Sequence, residues 1–426
     1  MEWALAIVAF ALLAVAAVSR RLSGTPITPA MVLVAVGLLI GPRALDGLDV
    51  SSTSSTVRTL AEATLALVLF ADASRIDLRQ LRREVGVPAR LLGIGLPLTI
   101  ALGALAAAAI FDRMTLGEAL ILGVILAPTD AALGQAVVTD KGVPARIRQG
   151  LNIESGLNDG VCVPLLLAAV AAADLESHIS HGRGVGTLLV EEIGYGVLGG
   201  VAAGLLIAAI IIYAGRRDLI TGAWRQVVPA AGAALAYGIA SALDGSGFIA
   251  AFVAGIVFRG VLGRDPEDLN RLTDEVGNVL SAVTFLLFGA ILLGPTLGNV
   301  SWSLVAYALL SLTVVRMVPV AIAMRGSRAR LPTLGFLGWF GPRGLASIVF
   351  ALIVVEESQL PEEHIITLAV YLTVGLSVFA HGLTAAPLAR RYASWYGGHP
   401  RDAAPSMESA SAEATRVRGP ITATSR

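Results

Sequence analysis

Residues 117–138 read GEALILGVILAPTDAALGQAVV, a run long enough to cross a bilayer, with Pro128 and Asp130 near its middle. A hydrocarbon core of about 30 Å takes roughly 20 apolar residues in helical form. A carboxylate deep in such a segment is costly, and a proline there removes a backbone hydrogen bond and frees a carbonyl. In lipid, a break of this kind is tolerated only where it faces protein or a water-filled cavity. The stretch therefore predicts an interrupted helix inside a membrane bundle.

The rest of the chain has the same character. Its 426 residues are 55% hydrophobic and 15% charged, with a mean hydropathy of +0.77. Soluble domains carry about a quarter charged residues, so that class is excluded. Net charge is zero, which gives no global pull toward nucleic acid. The single cysteine, Cys162, excludes a disulfide framework or a thiolate metal cluster and reads as a small apolar filler. The first apolar run, 3–18, has no basic segment ahead of it, since Arg20 and Arg21 follow it; it reads as an uncleaved first helix.

Thirteen candidate spans emerge: 3–18, 28–41, 58–74, 88–111, 117–138, 151–173, 188–213, 226–243, 248–262, 274–294, 302–324, 332–355 and 364–389. The fold class is thus an all-α membrane protein. Loops taken alternately divide by charge. One set holds Arg20/Arg21, Arg75/Arg79/Arg82/Arg83, Lys141/Arg146/Arg148, Arg216/Arg217/Arg225, Arg264/Arg271, Arg325/Arg328/Arg330 and Arg390/Arg391. The other set holds only Arg43, Arg113 and Arg183. Positive loops stay cytoplasmic, so the N-terminus is expected outside and the C-terminus inside the cell membrane. Residues 1–395 form one transmembrane unit on this reading. From about Tyr396 the sequence loses apolar periodicity, and 396–426 is expected to be a disordered cytoplasmic tail.

Ionisable groups well inside the spans are Glu62, Asp130, Glu154, Asp159, Arg316 and Arg343, with Asp72 near the inner end of span 3. At 1.5 Å per residue, Asp130, Asp159 and Arg316 lie about 12 Å from the inner ends of their helices, and Arg343 about 16 Å. Span 6 reads Asn152-Ile-Glu-Ser-Gly-Leu-Asn-Asp159. Four-residue spacing stacks Ser155 with Asp159 on one stripe and Glu154 with Asn158 on the next. Oxygen ligands of this kind suit hard cations; the alternative is hydrogen-bonded glue between helices. Span 12 reads Trp339-Phe-Gly-Pro342-Arg343-Gly344, a second proline break beside a buried charge. Paired interruptions in two halves point to a transporter binding site. Spans 1–6 and 8–13 form two six-helix halves, inserted in opposite orientation with span 7 between them.

Ala127-Pro-Thr-Asp130, Glu154-Ser-Gly-Leu-Asn-Asp159, Arg316 in Val-Val-Arg-Met-Val-Pro319, and Gly341-Pro-Arg-Gly344 together resemble the monovalent cation:proton antiporter family, in its sodium/proton exchanger branch. The resemblance covers nearly all of 1–395. It implies that helices 5 and 12 cross as discontinuous helices, broken at Pro128 and Pro342, near the ion site. It implies that Asp159 carries the exchanged cation or proton, with Ser155, Asp130 and the Thr129 carbonyl completing the shell. Glu154 would pair with Arg316, and Arg343 would balance the carbonyl ends of the broken helices. Asn158, where other branches have a second aspartate, resembles the electroneutral class. The family also implies homodimers. Where it often has an acid after a Leu-Phe pair, this chain has Leu69-Phe-Ala-Asp72, so Asp72 is either a displaced ligand or an interfacial partner of Arg75. Glu62 has no assignment. His178, His181 and His364 read as solvated, and His381, before Gly382-Leu-Thr384, resembles a family motif without a derived role.

A buried carboxylate is neutralised by a proton or by a cation, and poorly by both at once. That competition is an exchange mechanism, because the loaded carrier crosses while the bare charge is costly to move. The expected activity is exchange of a monovalent cation, sodium first, for a proton, with no cofactor and no enzymatic reaction. A cation channel with the same selectivity residues is the second reading. An intramembrane protease lacks its motif: there is no His-Glu-x-x-His.

Overall fold

Runs of Leu, Ala, Val and Ile cannot leave backbone groups open in lipid, so helices are the form available to them. The computed structural model describes residues 2–22, 25–41, 54–76, 86–176, 185–263, 267–357, 360–399 and 407–409, and its elements there are all helical. The chain begins with α1 (Glu2–Leu22), α2 (Pro29–Ile40) and α3 (Ser54–Arg75). Next is α4 (Gly86–Ile110), which carries a π turn at Leu91–Gly95. Helix α5 is split into α5a (Leu116–Ile125) and α5b (Gln135–Thr139). After it run α6 (Ala145–Glu176), α7 (Val185–Arg216), α8 (Gly222–Ala242) and α9 (Gly247–Leu262). Helix α10 (Glu267–Leu287) continues through a second π turn, Phe288–Leu293. Two more helices are split: α11a (Trp302–Leu312) with α11b (Val314–Ala323), and α12a (Leu331–Trp339) with α12b (Leu345–Glu357). The series ends with α13 (Glu363–Gly397).

By length and composition, α4, α6, α7, α10, α11 and α13 can each cross a membrane, and α2, α5a, α9 and α12b are shorter apolar helices. Arg43, Arg79, Arg82, Arg83, Arg183, Arg264, His178 and His181, with most of 396–426, lie outside the described residues.

Lipid gives helices little hydrophobic reason to associate, so close backbone approach at small residues does the work. On α7 the glycines at 196, 200 and 204 recur every four residues and face α9: a Cβ at Gly200 would stand 2.6 Å from the Ala250 carbonyl. Gly255 of α9 presses in turn on Ala73 and Ser74 of α3. On the other side Gly103 of α4 meets Gly123 of α5a, and Gly117 of α5a meets Ala173 of α6. Thus α3, α7 and α9 make one packed group, and α4, α5a and α6 another.

Proline alone does not decide where helices break. Pro164, Pro229, Pro319 and Pro387 lie inside helices that run on through them. Pro128 and Pro342 differ in having polar partners at hand to take up the freed backbone groups. The break of α11 at Thr313 (φ −115°, ψ −90°) was not expected, since no proline or glycine marks it. Helix α13 runs to Gly397, beyond the expected end at 389. Its extension is held outside the apolar span by Tyr392, whose ring stacks on Phe336 with centroids 4.2 Å apart. Beside it Glu408 is buried and accepts from the Arg330 amide at 3.0 Å and the Thr333 hydroxyl at 2.5 Å.

Candidate ion-binding site

The site begins where α5a stops. Thr115 and Glu118 form a capping box at its start, and the Glu118 carboxylate also accepts from the Glu362 amide at 2.8 Å, which ties α5a to the segment before α13. Thr115-x-x-Glu118 is the sequence signature of such a cap. At the other end the chain leaves helical form from Leu126 to Gly134. Ala127 precedes a proline and is pushed from the helical region, and Pro128 has no N–H to donate.

The unwound segment lies against the break in α12. The Asp130 amide donates to the Pro342 carbonyl at 2.8 Å. Arg343, fully buried, donates from Nη1 to the carbonyls of Ala127 at 3.0 Å and Pro128 at 3.2 Å. The Ser347 hydroxyl donates to the Ile125 carbonyl at 2.7 Å. In the opposite sense, Asp130 Oδ2 accepts from the Leu345 amide at 3.2 Å, at the N-terminus of α12b, while Oδ1 accepts from Ala132 at 2.8 Å. A cation therefore sits on the carbonyl end of α5a and a carboxylate on the amide end of α12b, each the favourable sign for that helix end. Glycines make the approach possible. A Cβ at Gly344 would run into the Asp130 carboxylate, and one at Gly341 would meet the Arg316 guanidinium and stand 3.1 Å from Thr129 Cγ2.

Against this crossing α6 presents its polar stripes. Asn158 donates from Nδ2 to Thr129 Oγ1 at 2.8 Å, and Thr129 Oγ1 lies 2.9 Å from Ser155 Oγ. Since Thr129 accepts from Asn158, its own proton is available to Ser155. Asp159 stands one turn beyond Ser155 on the same stripe, and all four residues are buried. The Asn158 Oδ1 atom is buried with no hydrogen-bond partner among the described residues. The structure thus brings Thr129, Ser155 and Asn158 into one bonded cluster, with Asp159 one helical turn from Ser155 on α6.

Glu154, on the neighbouring stripe, makes a two-toothed pair with Arg316: Nη1 to Oε1 is 2.6 Å and Nη2 to Oε2 is 2.8 Å, with both side chains 1% exposed. Asp72 makes the expected contact with Arg75. Its carboxylate pairs with Arg75 at 2.9 Å, and Arg75 pairs also with Asp274 of α10 at 2.5 Å. Its Cβ is also 3.5 Å from where a Cβ on Gly156 would stand, so it packs on α6 next to Ser155. Glu62 is placed away from this cluster, bonded to Arg58 at 2.5 Å and to the Tyr237 hydroxyl at 3.2 Å. Cys162 is buried, as a small apolar filler would be.

Comparisons with known proteins agree with this architecture. A family model described as sodium/hydrogen exchanger, transmembrane, matches residues 7–391. The chain is 25% identical over 377 residues to the K(+)/H(+) antiporter NhaP of Alkalimonas amylolytica, covering 88% of this chain and 63% of that protein. It is 28% identical over 260 residues to a Na(+)/H(+) antiporter of Schizosaccharomyces pombe, covering 58% and 55%. The chain therefore spans less than two thirds of the length of these curated relatives. In fold it is similar to the sodium proton antiporter MjNhaP1 from Methanocaldococcus jannaschii at pH 8, with a TM-score of 0.74 and 20% identity over 90% of this chain and 100% of that one.

Proposed function

The chain belongs to the sodium/hydrogen exchanger family, and from that premise we propose that it is a secondary active transporter exchanging a monovalent cation for a proton across the cell membrane. Sodium is the first candidate. Potassium stands beside it, because similar proteins are named K(+)/H(+) antiporters, and lithium is the third. On this reading the chain makes thirteen crossings in two inverted six-helix halves, with the N-terminus outside and the C-terminus cytoplasmic, and works as a homodimer by alternating access.

The observation that carries the reading is the bonded cluster of Thr129, Ser155 and Asn158 beside Asp159, at the place where two broken helices meet. Asp159 holds either the cation or the proton. Ser155 and the Thr129 carbonyl give neutral oxygens to the cation, and Asp130 and Asp72 add charge nearby. Arg343 and Asp130 satisfy the helix ends, so the break persists whether or not a cation is present. Glu154 and Arg316 tie α6 to α11 and leave the exchanged charge to Asp159. Asn158 cannot take a proton near neutral pH, so one proton is traded for one cation and no net charge crosses. The channel reading is not favoured for a member of an exchanger family. The test is dissipation of an imposed pH gradient in proteoliposomes by sodium, lithium or potassium in turn. Proton movement that needs a counter-moving cation supports exchange; cation current with no proton movement overturns it.

A further inference from the structure

His381 is 1% exposed on α13 and carries no role in the exchange chemistry above. Its surroundings assign it one. Nε2 lies 2.9 Å from the Trp339 carbonyl, at the last turn of α12a, and a carbonyl can only accept. In a neutral ring Nε2 therefore carries the hydrogen and Nδ1 is the acceptor. Nδ1 is 3.1 Å from both the Ser377 carbonyl and Ser377 Oγ. Because Oγ accepts from the Arg343 amide at 2.7 Å, its hydroxyl proton is left for Nδ1, a donor that Nε2 lacks, so the hydrogen stays on Nε2. The chain of donors runs from Arg343 N–H through the Ser377 hydroxyl to His381, and from His381 to Trp339. Both ends of the break in α12 are thus bonded, directly or through Ser377, to one side chain.

The neighbouring motif residues complete the hold. The Trp339 indole N–H donates to Thr384 Oγ1 at 2.9 Å, and its ring lies on the His381 ring with centroids 4.9 Å apart. Gly382 faces Met31 of α2, and a side chain there would collide with the Met31 sulfur. His381-Gly-Leu-Thr384 therefore clamps α12a while letting α13 lie close to α2.

We infer that His381 is a positioning residue for the exchange site: with Ser377 it fixes the backbone of residues 339–343, and so the place where the Arg343 guanidinium meets the carbonyls of Ala127 and Pro128. The inference rests on the exchange reading for its functional half, while its structural half stands on the bonds alone. Groups that orient a site's own contacts typically change affinity or activity by about 10–100-fold when removed.

The experiment compares wild type with His381→Leu, His381→Gln and Ser377→Ala in two readouts. Amide hydrogen exchange of the 340–344 segment, in purified protein, reads the clamp. The apparent KM for the transported cation in proteoliposomes reads its effect on the site. His381→Leu and Ser377→Ala should speed amide exchange at Arg343 and raise KM by about tenfold, with a smaller change in maximal rate. His381→Gln, which keeps an N–H for Trp339, should restore both to within about threefold of wild type on the same outer-contact scale. Unchanged KM and unchanged amide exchange in Ser377→Ala, or in a folded His381→Leu, would overturn the inference, even with a lowered melting temperature. Wild-type vesicles that show no cation-dependent proton movement would instead overturn the exchange reading, and amide exchange alone would then decide the clamp.

Discussion

The Asp130 amide and the Pro342 carbonyl are joined by a 2.8 Å hydrogen bond, so the two helix breaks, far apart in sequence, are a single structural unit. Each break exposes what the other one lacks. Backbone oxygens at Ala127 and Pro128 are taken by Arg343, and the open amide of Leu345 is taken by Asp130. Neither interruption would be stable alone in lipid, where an unsatisfied backbone group costs several kcal/mol.

Room for this joint depends on Gly344. Gly344→Ala should push Asp130 from its place and destabilise the fold by about 1–3 kcal/mol, as overpacking does. Exchange activity should be lost with it. Gly335→Ala on α12a is the control, since a Cβ there meets nothing within 4 Å. Melting temperatures and vesicle assays of the pair check this; equal behaviour of the two variants would contradict it.

The Glu154–Arg316 pair is buried from end to end, so its loss should be felt in folding before affinity. Removing one partner leaves an uncompensated buried charge worth about 3–5 kcal/mol. Glu154→Gln and Arg316→Gln should each lower thermal stability, and the double variant should recover most of it. A double variant whose loss equals the sum of the two single losses would show that the residues do not act as a pair.

Asp159→Asn should leave the protein folded and abolish cation-dependent proton movement, because on the proposed reading the cation and the proton compete for its carboxylate. In wild-type vesicles the exchange rate should not respond to a clamped membrane potential at fixed gradients. A voltage-dependent rate would mean a second proton carried per cycle, and Asp130 would be the first variant to make.

Orientation is checked by labelling. In a Cys162→Ala background, cysteines at Lys141 and Arg325 should resist impermeant thiol reagents added to whole cells, while those at Leu243 and Asn299 should react. All four positions are exposed. The opposite pattern would reverse the assignment of inside and outside.

Much of this protein was legible without coordinates. The hydropathy of the chain requires helices, since lipid leaves the backbone no other partner. Pro128 and Pro342, each beside a charge within an apolar span, marked the two breaks, and four-residue spacing on α6 set Ser155 with Asp159 and Glu154 with Asn158. These are local properties, carried by residues near one another in the chain. What tertiary structure decided is where the remaining valences go. The spacing of Asp72 and Arg75 could be read from the sequence, but only packing brings Asp274 of α10 to Arg75 and Gly156 of α6 to Asp72. His381 was silent because its partners, Trp339 and the Arg343-bound Ser377, acquire meaning only once α13 lies against the broken α12. The break at Thr313 was invisible for the same reason, having no proline or glycine to announce it. Sequence determines which groups need a partner, because that need is set by each residue's own chemistry. Which partner meets the need is settled by packing between distant helices.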